Sequence, residues 1–240
     1  MKQAIFCWSG GKDSAYALHQ ILQAGEYEVK YLLTTINGEF QRISMHGVRE
    51  LLLEQQASAI GIPLLKVKVY QGSNSEYEQQ MAQMLLQAKA EGISHVIFGD
   101  IFLADLRAYR EKNLAQVGLE AVFPLWQKNT TQLINDFIAQ GFKTITCCVS
   151  DAYLNEQWVG RDINQQFVAE LPTQVDACGE NGEYHTFCYD APYFKHAVAF
   201  ELGEKVYKPL EVKSTDAVCS SDNQTQGFWF CDLLTVQSLL

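Results

Sequence analysis

The chain has 240 residues, 48% of them hydrophobic and 19% charged, with a formal net charge of −10. That composition builds a full core and excludes a disordered chain, and the length suits one large domain or a full domain with a smaller companion. The acidic balance argues against general nucleic-acid binding, and no apolar run is long enough to span a bilayer.

Ala4-Ile5-Phe6-Cys7-Trp8 reads as a buried strand, and because the chain enters it at once no secretory signal is expected. It runs into Ser9-Gly10-Gly11-Lys12-Asp13-Ser14, and residues 15–22 then read as a helix closed by Gly25. A strand, a glycine-rich turn and a helix N-terminus make an anion site, because free backbone N–H groups and the helix dipole point at one place. Gly10 and Gly11 permit close backbone approach, Ser9 and Ser14 offer hydroxyl donors, Lys12 a positive charge and Asp13 a carboxylate for Mg2+. A merely capped turn uses the same residue types. The position after the first strand of a βαβ chain favours phosphate.

Val29 to Ile36 is β-rich, Val48 to Ile60 has helical spacing and stops at Gly61 and Pro63, and Leu64 to Val69 is a third strand. Ser75-Glu76-Tyr77-Glu78 has capping-box form and opens a helix ended by Gly92, with Tyr77, Met81, Met84, Leu85 and Ala88 on its inner side. His95 to Phe98 is a fourth strand, running into Gly99-Asp100. Helices follow over about 103–117 and 130–140, then a fifth strand over Lys143 to Val149. The alternation predicts an α/β fold, a doubly wound parallel sheet whose ligand edge carries Ser9 to Ser14, Thr34 to Ile36, Gly99 and Asp100.

The pattern changes after Ser150: a short helix over 161–171, a polar glycine-punctuated loop over 179–186, and short strands at Ala197 to Phe200 and Phe228 to Phe230. This divides the chain into an ATP-binding domain, 1–150, and a smaller α+β substrate domain, 151–240. The seven cysteines contain no C-x-x-C pair and several sit in apolar runs, as expected of buried thiols in a reducing cytoplasm.

Ser9 to Ser14 is neither Walker A nor the dinucleotide fingerprint. It matches the PP-loop, S-G-G-x-D-S, of enzymes that split ATP between its α and β phosphates. Trp8 to Ser14, Ser44-Met45-His46-Gly47, Gly99-Asp100-Ile101-Phe102 with Arg107 and Glu111, Pro124-Leu125-Trp126 and Gly179 to Thr186 together resemble the diphthine–ammonia ligase family of PP-loop ATPases. That resemblance extends over almost the whole chain. It implies a nucleotide-binding domain of the HUP type, a small C-terminal domain, ATP with Mg2+, and amidation: a carboxylate is adenylated, pyrophosphate leaves, and ammonia displaces AMP. One segment departs from the family pattern E-G-G-E-[FY]-E-[TS]: Asn181 stands for a glycine and His185 for an acidic residue. An imidazole suits the trimethylammonium of diphthine less well than a carboxylate, which points to a related branch acting on a cobalamin-related or other small carboxylate.

Catalytic candidates are therefore Lys12, Asp13 and His46; nucleotide candidates are Ser9 to Ser14, Thr34, Gly99 and Asp100; substrate candidates are Arg107, Glu180, Glu183 and His185. Each has a plainer reading: a capping or surface His46, Asp100 as a helix N-cap, Arg107 and Glu111 as an i,i+4 ion pair, Glu180 and Glu183 on a solvated tip. His19 reads as structural and Trp126 as core. The partners expected are a small or protein-borne carboxylate and ammonia, with neither membrane nor nucleic acid; homo-oligomerisation stays open. Adenylation of an RNA base and a non-catalytic ATP or AMP sensor are the alternatives.

Overall fold

The computed structural model describes residues 1–43, 46–70, 74–210 and 225–236, without the side chains of 74–77. Ser44, Met45, Cys219 and the side chains of the Ser75-Glu76-Tyr77 cap lie outside the described residues.

The first sheet is built on β1 (Lys2–Cys7), β2 (Tyr27–Asn37), β4 (Leu64–Val69), β5 (His95–Ile97) and β6 (Glu120–Val122), all parallel where they pair. Their spatial order is β4-β2-β1-β5-β6. A two-residue strand, β3 (Arg42–Ile43), pairs antiparallel with Ile36 and Asn37, on the edge that β1 leaves free after Leu33. The chain runs outward from β1 through β2 and β4 and returns beside β1 as β5, so the strand order reverses at β1/β5. Ligands of open α/β sheets bind at that reversal, outside the carboxyl ends of the strands.

Helices cover both faces, and the strands alternate accordingly. Ala4, Phe6, Leu32 and Ile97 pack with α1 (Lys12–Ala24) and α2 (Glu50–Ile60). Ile5, Leu33, Val67 and Val96 pack with Leu85 of α3 (Asn74–Ala90) and Leu114 of α4 (Ala104–Val117). Period-2 strands with both faces buried are what a parallel sheet requires.

The second sheet corrects three expectations. The strand expected to be fifth in the parallel sheet, β7 (Lys143–Ser150), pairs antiparallel with β8 (Tyr184–Asp190) and β10 (Gly227–Thr235) instead. With β9 (Phe200–Pro209) the order is β8-β7-β10-β9. Ala197 to Ala199 are irregular and the strand begins at Phe200; Tyr184 to Thr186, read as loop, are the first turnless residues of β8. Helix α5 (Thr130–Ala139) is capped by the Asn129 side chain on the Gln132 N–H, and α6 is shorter than expected, Gln165–Glu170, capped by Asn164 on Phe167.

The two sheets share one core, which runs from Phe6 and Leu18 through Phe137 to Ile145, Phe187 and Leu233. Polar ties reinforce it. Gly10 and Ala59 carbonyls accept from the N–H of Cys188 and Lys195, and the Tyr193 hydroxyl donates to the Ala15 carbonyl at 2.9 Å. Asp232 of β10 accepts from Arg42 at 2.8 Å and from Arg49 at 2.6 Å. Burial works to raise its carboxyl, but the two guanidiniums outweigh that and hold it down to about 2. A carboxylate so depressed contributes stability above its unfolded pKa of about 3.9 and loses it as pH falls through its folded value. Asp232→Asn is therefore expected to unfold at lower urea than the wild type at pH 7, with the gap closing between about pH 4 and pH 2. A gap independent of pH would sink that account.

Candidate active site

Loop 9–14 leaves β1 at the strand-order reversal. Gly10 has φ +77°, and a Cβ there would come within 2.7 Å of both Gln56 Oε1 and Leu53 Cδ2, so both conformation and space demand glycine. Gln56, wholly buried, ties the loop down: its Oε1 accepts from Trp8 Nε1 at 2.9 Å, and its Nε2 donates to the carbonyls of Gly10 at 2.9 Å and Cys188 at 2.6 Å.

The serines serve the loop itself. Ser9 Oγ donates to Ser14 Oγ at 3.1 Å, and Ser14 Oγ donates to the Gly11 carbonyl at 2.9 Å. The hydroxyl protons expected to face a phosphate are spent inside the turn. Ser9 Oγ also accepts from the Gly11 N–H at 3.3 Å.

Lys12 opens α1 and is 3% exposed, its Nζ 2.8 Å from each oxygen of Asp13 and 5.2 Å from the centre of the Tyr184 ring. Burial opposes the Lys12 charge, yet the Asp13 carboxylate overrides it and holds the ammonium above its ordinary pKa. The site therefore keeps a cation in a place that excludes water. Gly99 lies against this turn: a Cβ there would meet Asp13 and Ser14 backbone atoms at 3.1 Å.

The second sheet supplies the opposite wall. Thr186 Oγ1 accepts from the Lys12 N–H at 3.0 Å, and the Thr186 carbonyl accepts from His46 Nδ1 at 3.1 Å. A carbonyl only accepts, so Nδ1 carries the proton. Burial lowers the His46 pKa, and the neutral ring then leaves Nε2 as a bare acceptor. The His185 ring lies beside it, tilted by 32° with ring centroids 4.9 Å apart. Burial above all, then the neighbouring His46 and Lys12 charges, push His185 down to about 3, and its Nε2 is buried with no partner among the described residues.

The glycine-punctuated loop splits its two glutamates. Glu180 accepts from the Ile101 N–H at 2.8 Å and the Phe102 N–H at 3.3 Å; burial first, and then the Asp13 charge, raise it to about 7. Glu183, expected to face substrate, is 1% exposed and turned inward, holding its own loop through the N–H groups of Asp176 and Asn181, each at 2.9 Å. Asp100 is not the helix cap: α4 is capped at Leu103, and Asp100 pairs with Arg110 at 2.9 Å, with burial raising its carboxyl against the pull of Arg110. Arg107 forms the i,i+4 pair with Glu111 at 2.7 Å and stacks on Trp126 and Phe123. His19 sits among Tyr16, Phe142 and Tyr193, as a structural residue should.

A cavity of about 600 Å3 opens at the strand ends between α3 and α4. Ser9, Thr34, His46, Phe98 and Arg110 are on its wall, while Lys12, Asp13 and Glu180 are not. It meets the loop at one end only, and its volume lies in the range of small-ligand sites. Among the described residues no three His, Cys, Asp or Glu side chains cluster as metal ligands, and none of the helices is long and apolar enough to cross a membrane. Gln56, Thr186, Arg110 and the Asp232 clamp had no sequence signal beyond, for Thr186, its place in the 179–186 motif.

Residues 1–121 match the family model for the diphthamide synthase N-terminal domain, and residues 129–214 that for the diphthamide synthase C-terminal domain. The chain is similar to proteins named diphthine–ammonia ligase. It is 27% identical to the Mus musculus protein over 227 residues, 82% of each chain. It is 26% identical to the Danio rerio protein over 220 residues, 82% of this chain and 86% of that one. It is 25% identical to the Homo sapiens protein over 227 residues, 82% of each.

Proposed function

The chain belongs to the diphthamide synthase family, and on that premise we propose that it is an ATP-dependent carbon–nitrogen ligase that adenylates a carboxylate and amidates it with ammonia. The observation that carries the reading is Lys12, a buried ammonium kept charged at the N-terminal turn of α1. Pyrophosphate leaving from ATP gathers negative charge there, where a fixed cation and the helix dipole are strongest in the absence of water. The cavity between α3 and α4 suits the nucleoside end of ATP, with Thr34 and Ser9 on its wall.

The carboxylate oxygen attacks the α-phosphorus and pyrophosphate leaves; ammonia then attacks the acyl carbon and AMP leaves. His46 Nε2 takes the proton that the attacking nitrogen sheds. Asp13 would offer Mg2+ a carboxylate, and because no three His, Cys, Asp or Glu side chains cluster among the described residues, the ion would be held chiefly through nucleotide phosphates, whose charge it would neutralise. His185 next to His46 favours an acceptor without a quaternary ammonium, because a neutral imidazole offers it no counter-charge.

ATP–pyrophosphate exchange and ammonium-dependent AMP formation, measured with diphthine-bearing peptide and a panel of small carboxylates, test the reading. Turnover requiring both carboxylate and ammonium supports it; ATP binding with no turnover on any acceptor supports the sensor instead. His46→Gln is expected to retain the exchange and to slow the ammonium-dependent step by on the order of 10^2-fold. Equal loss in both half-reactions would take the proton-accepting role away from His46.

A further inference from the structure

We infer that Thr186, carried by the second sheet, is a ligand of the outer phosphates of the bound nucleotide, so that the phosphate site is complete only when that sheet is docked on the loop. The inference rests on the nucleotide half of the function proposed above.

Three hydroxyls surround the loop, and their protons have different fates. Ser9 gives its proton to Ser14, and Ser14 gives its own to the Gly11 carbonyl. Thr186 Oγ1 accepts from the Lys12 N–H at 3.0 Å, across 174 residues of chain, and its own proton has no acceptor among the described residues. Thr186 is 3% exposed. A buried hydroxyl with an unspent donor calls for a partner, and the groups beside it are the Lys12 N–H and Gly11. A Cβ on Gly11 would approach Thr186 Oγ1 to 3.3 Å and its carbonyl to 3.1 Å, so the turn is glycine partly to admit Thr186. A hydroxyl can accept from an amide and donate to an anion at once. The Thr186 hydroxyl thus adds one donor beside the backbone N–H groups of the turn.

The same residue reaches the proton acceptor, since its carbonyl holds the His46 Nδ1 proton at 3.1 Å. A phosphate drawn onto the Thr186 hydroxyl is therefore registered, through one residue of β8, at the ring that faces the second half-reaction.

The sign of one substitution decides between a ligand and a cap. Thr186→Val keeps the shape, deletes the hydroxyl and frees the Lys12 N–H. If Thr186 only caps that N–H, the freed group is available to phosphate and binding holds or tightens. If Thr186 is a ligand, inorganic pyrophosphate and ATP, titrated calorimetrically with Mg2+ into the full-length protein, bind about tenfold or more weakly, as loss of a bond to a charged group predicts. AMP, which lacks the outer phosphates, binds as before, and Thr186→Ser keeps pyrophosphate affinity. The serine variant keeps the comparison decisive where valine perturbs the fold. Undiminished pyrophosphate binding by Thr186→Val, or parallel loss for pyrophosphate and AMP in both variants, would overturn the inference while leaving the ligase reading standing. Failure of the wild type to bind ATP or pyrophosphate would end the nucleotide reading and this inference with it.

Discussion

Lys12→Met is expected to slow ATP–pyrophosphate exchange by on the order of 10^3-fold while the thermal unfolding midpoint stays within a few degrees of the wild type, on the order of what is seen when a single preorganised donor is removed from a developing anion. The asymmetry comes from burial. Lys12 is 3% exposed and Asp13 33%. Methionine keeps the apolar stem packed beside Tyr184, and the carboxylate that loses its partner can turn to water. The reverse deletion is different. Asp13→Ala strands a buried ammonium, and breaking a buried pair from that side costs about 3–5 kcal/mol. Burial already works against the Lys12 charge, and Asp13 is what holds it in the charged form. The alanine variant is thus expected to lose stability and exchange together, where the methionine variant loses exchange alone. Exchange at the wild-type rate in Lys12→Met would remove the cation from the chemistry.

What the sequence reveals here is local, and what it hides is contact between distant segments. The loop and its flanking elements are legible because strand, glycines and helix start are contiguous, although α1 begins at Lys12, three residues before the helix read from Ala15. The parallel pairing of the first sheet follows from the alternation, whereas the order of its strands does not. Strand β7 reads as a member of the parallel sheet because an apolar run such as Thr144 to Val149 is buried on both faces in either setting. Strand β6 is three residues, half-exposed, and has no periodicity to read. Glu183 and Glu180 look alike in sequence, yet one closes its own loop and the other takes the N–H groups of Ile101 and Phe102, because only the fold brings those groups to Glu180. The family resemblance marks the 179–186 segment as functional; it does not reveal that Thr186 caps Lys12, a relation between β8 and α1 that no spacing encodes.

Gln56→Leu is expected to lower stability by about 2–5 kcal/mol, since each buried polar group left unpaired costs about 1–3 kcal/mol. Its amide is the joint between loop 9–14 and the second sheet, and no solvent reaches it. Leucine fills the volume but strands Trp8 Nε1 and removes the donor 2.6 Å from the Cys188 carbonyl; the Gly10 carbonyl keeps the Cys188 N–H at 2.8 Å. At about 2–4 °C per kcal/mol for a chain of this size, the unfolding midpoint falls by roughly 4–20 °C. Gln56→Glu fails for another reason: a carboxylate cannot donate to two carbonyls, and a charge there has no counter-ion among those three partners. Pyrophosphate affinity should fall with stability in both variants, because Gly10 sits 2.7 Å, at its absent Cβ, from Gln56 Oε1 and has no other side-chain amide to hold it. A leucine variant as stable as the wild type would mean that the loop is positioned by its backbone bonds to β8 alone, and that Gln56 only fills space.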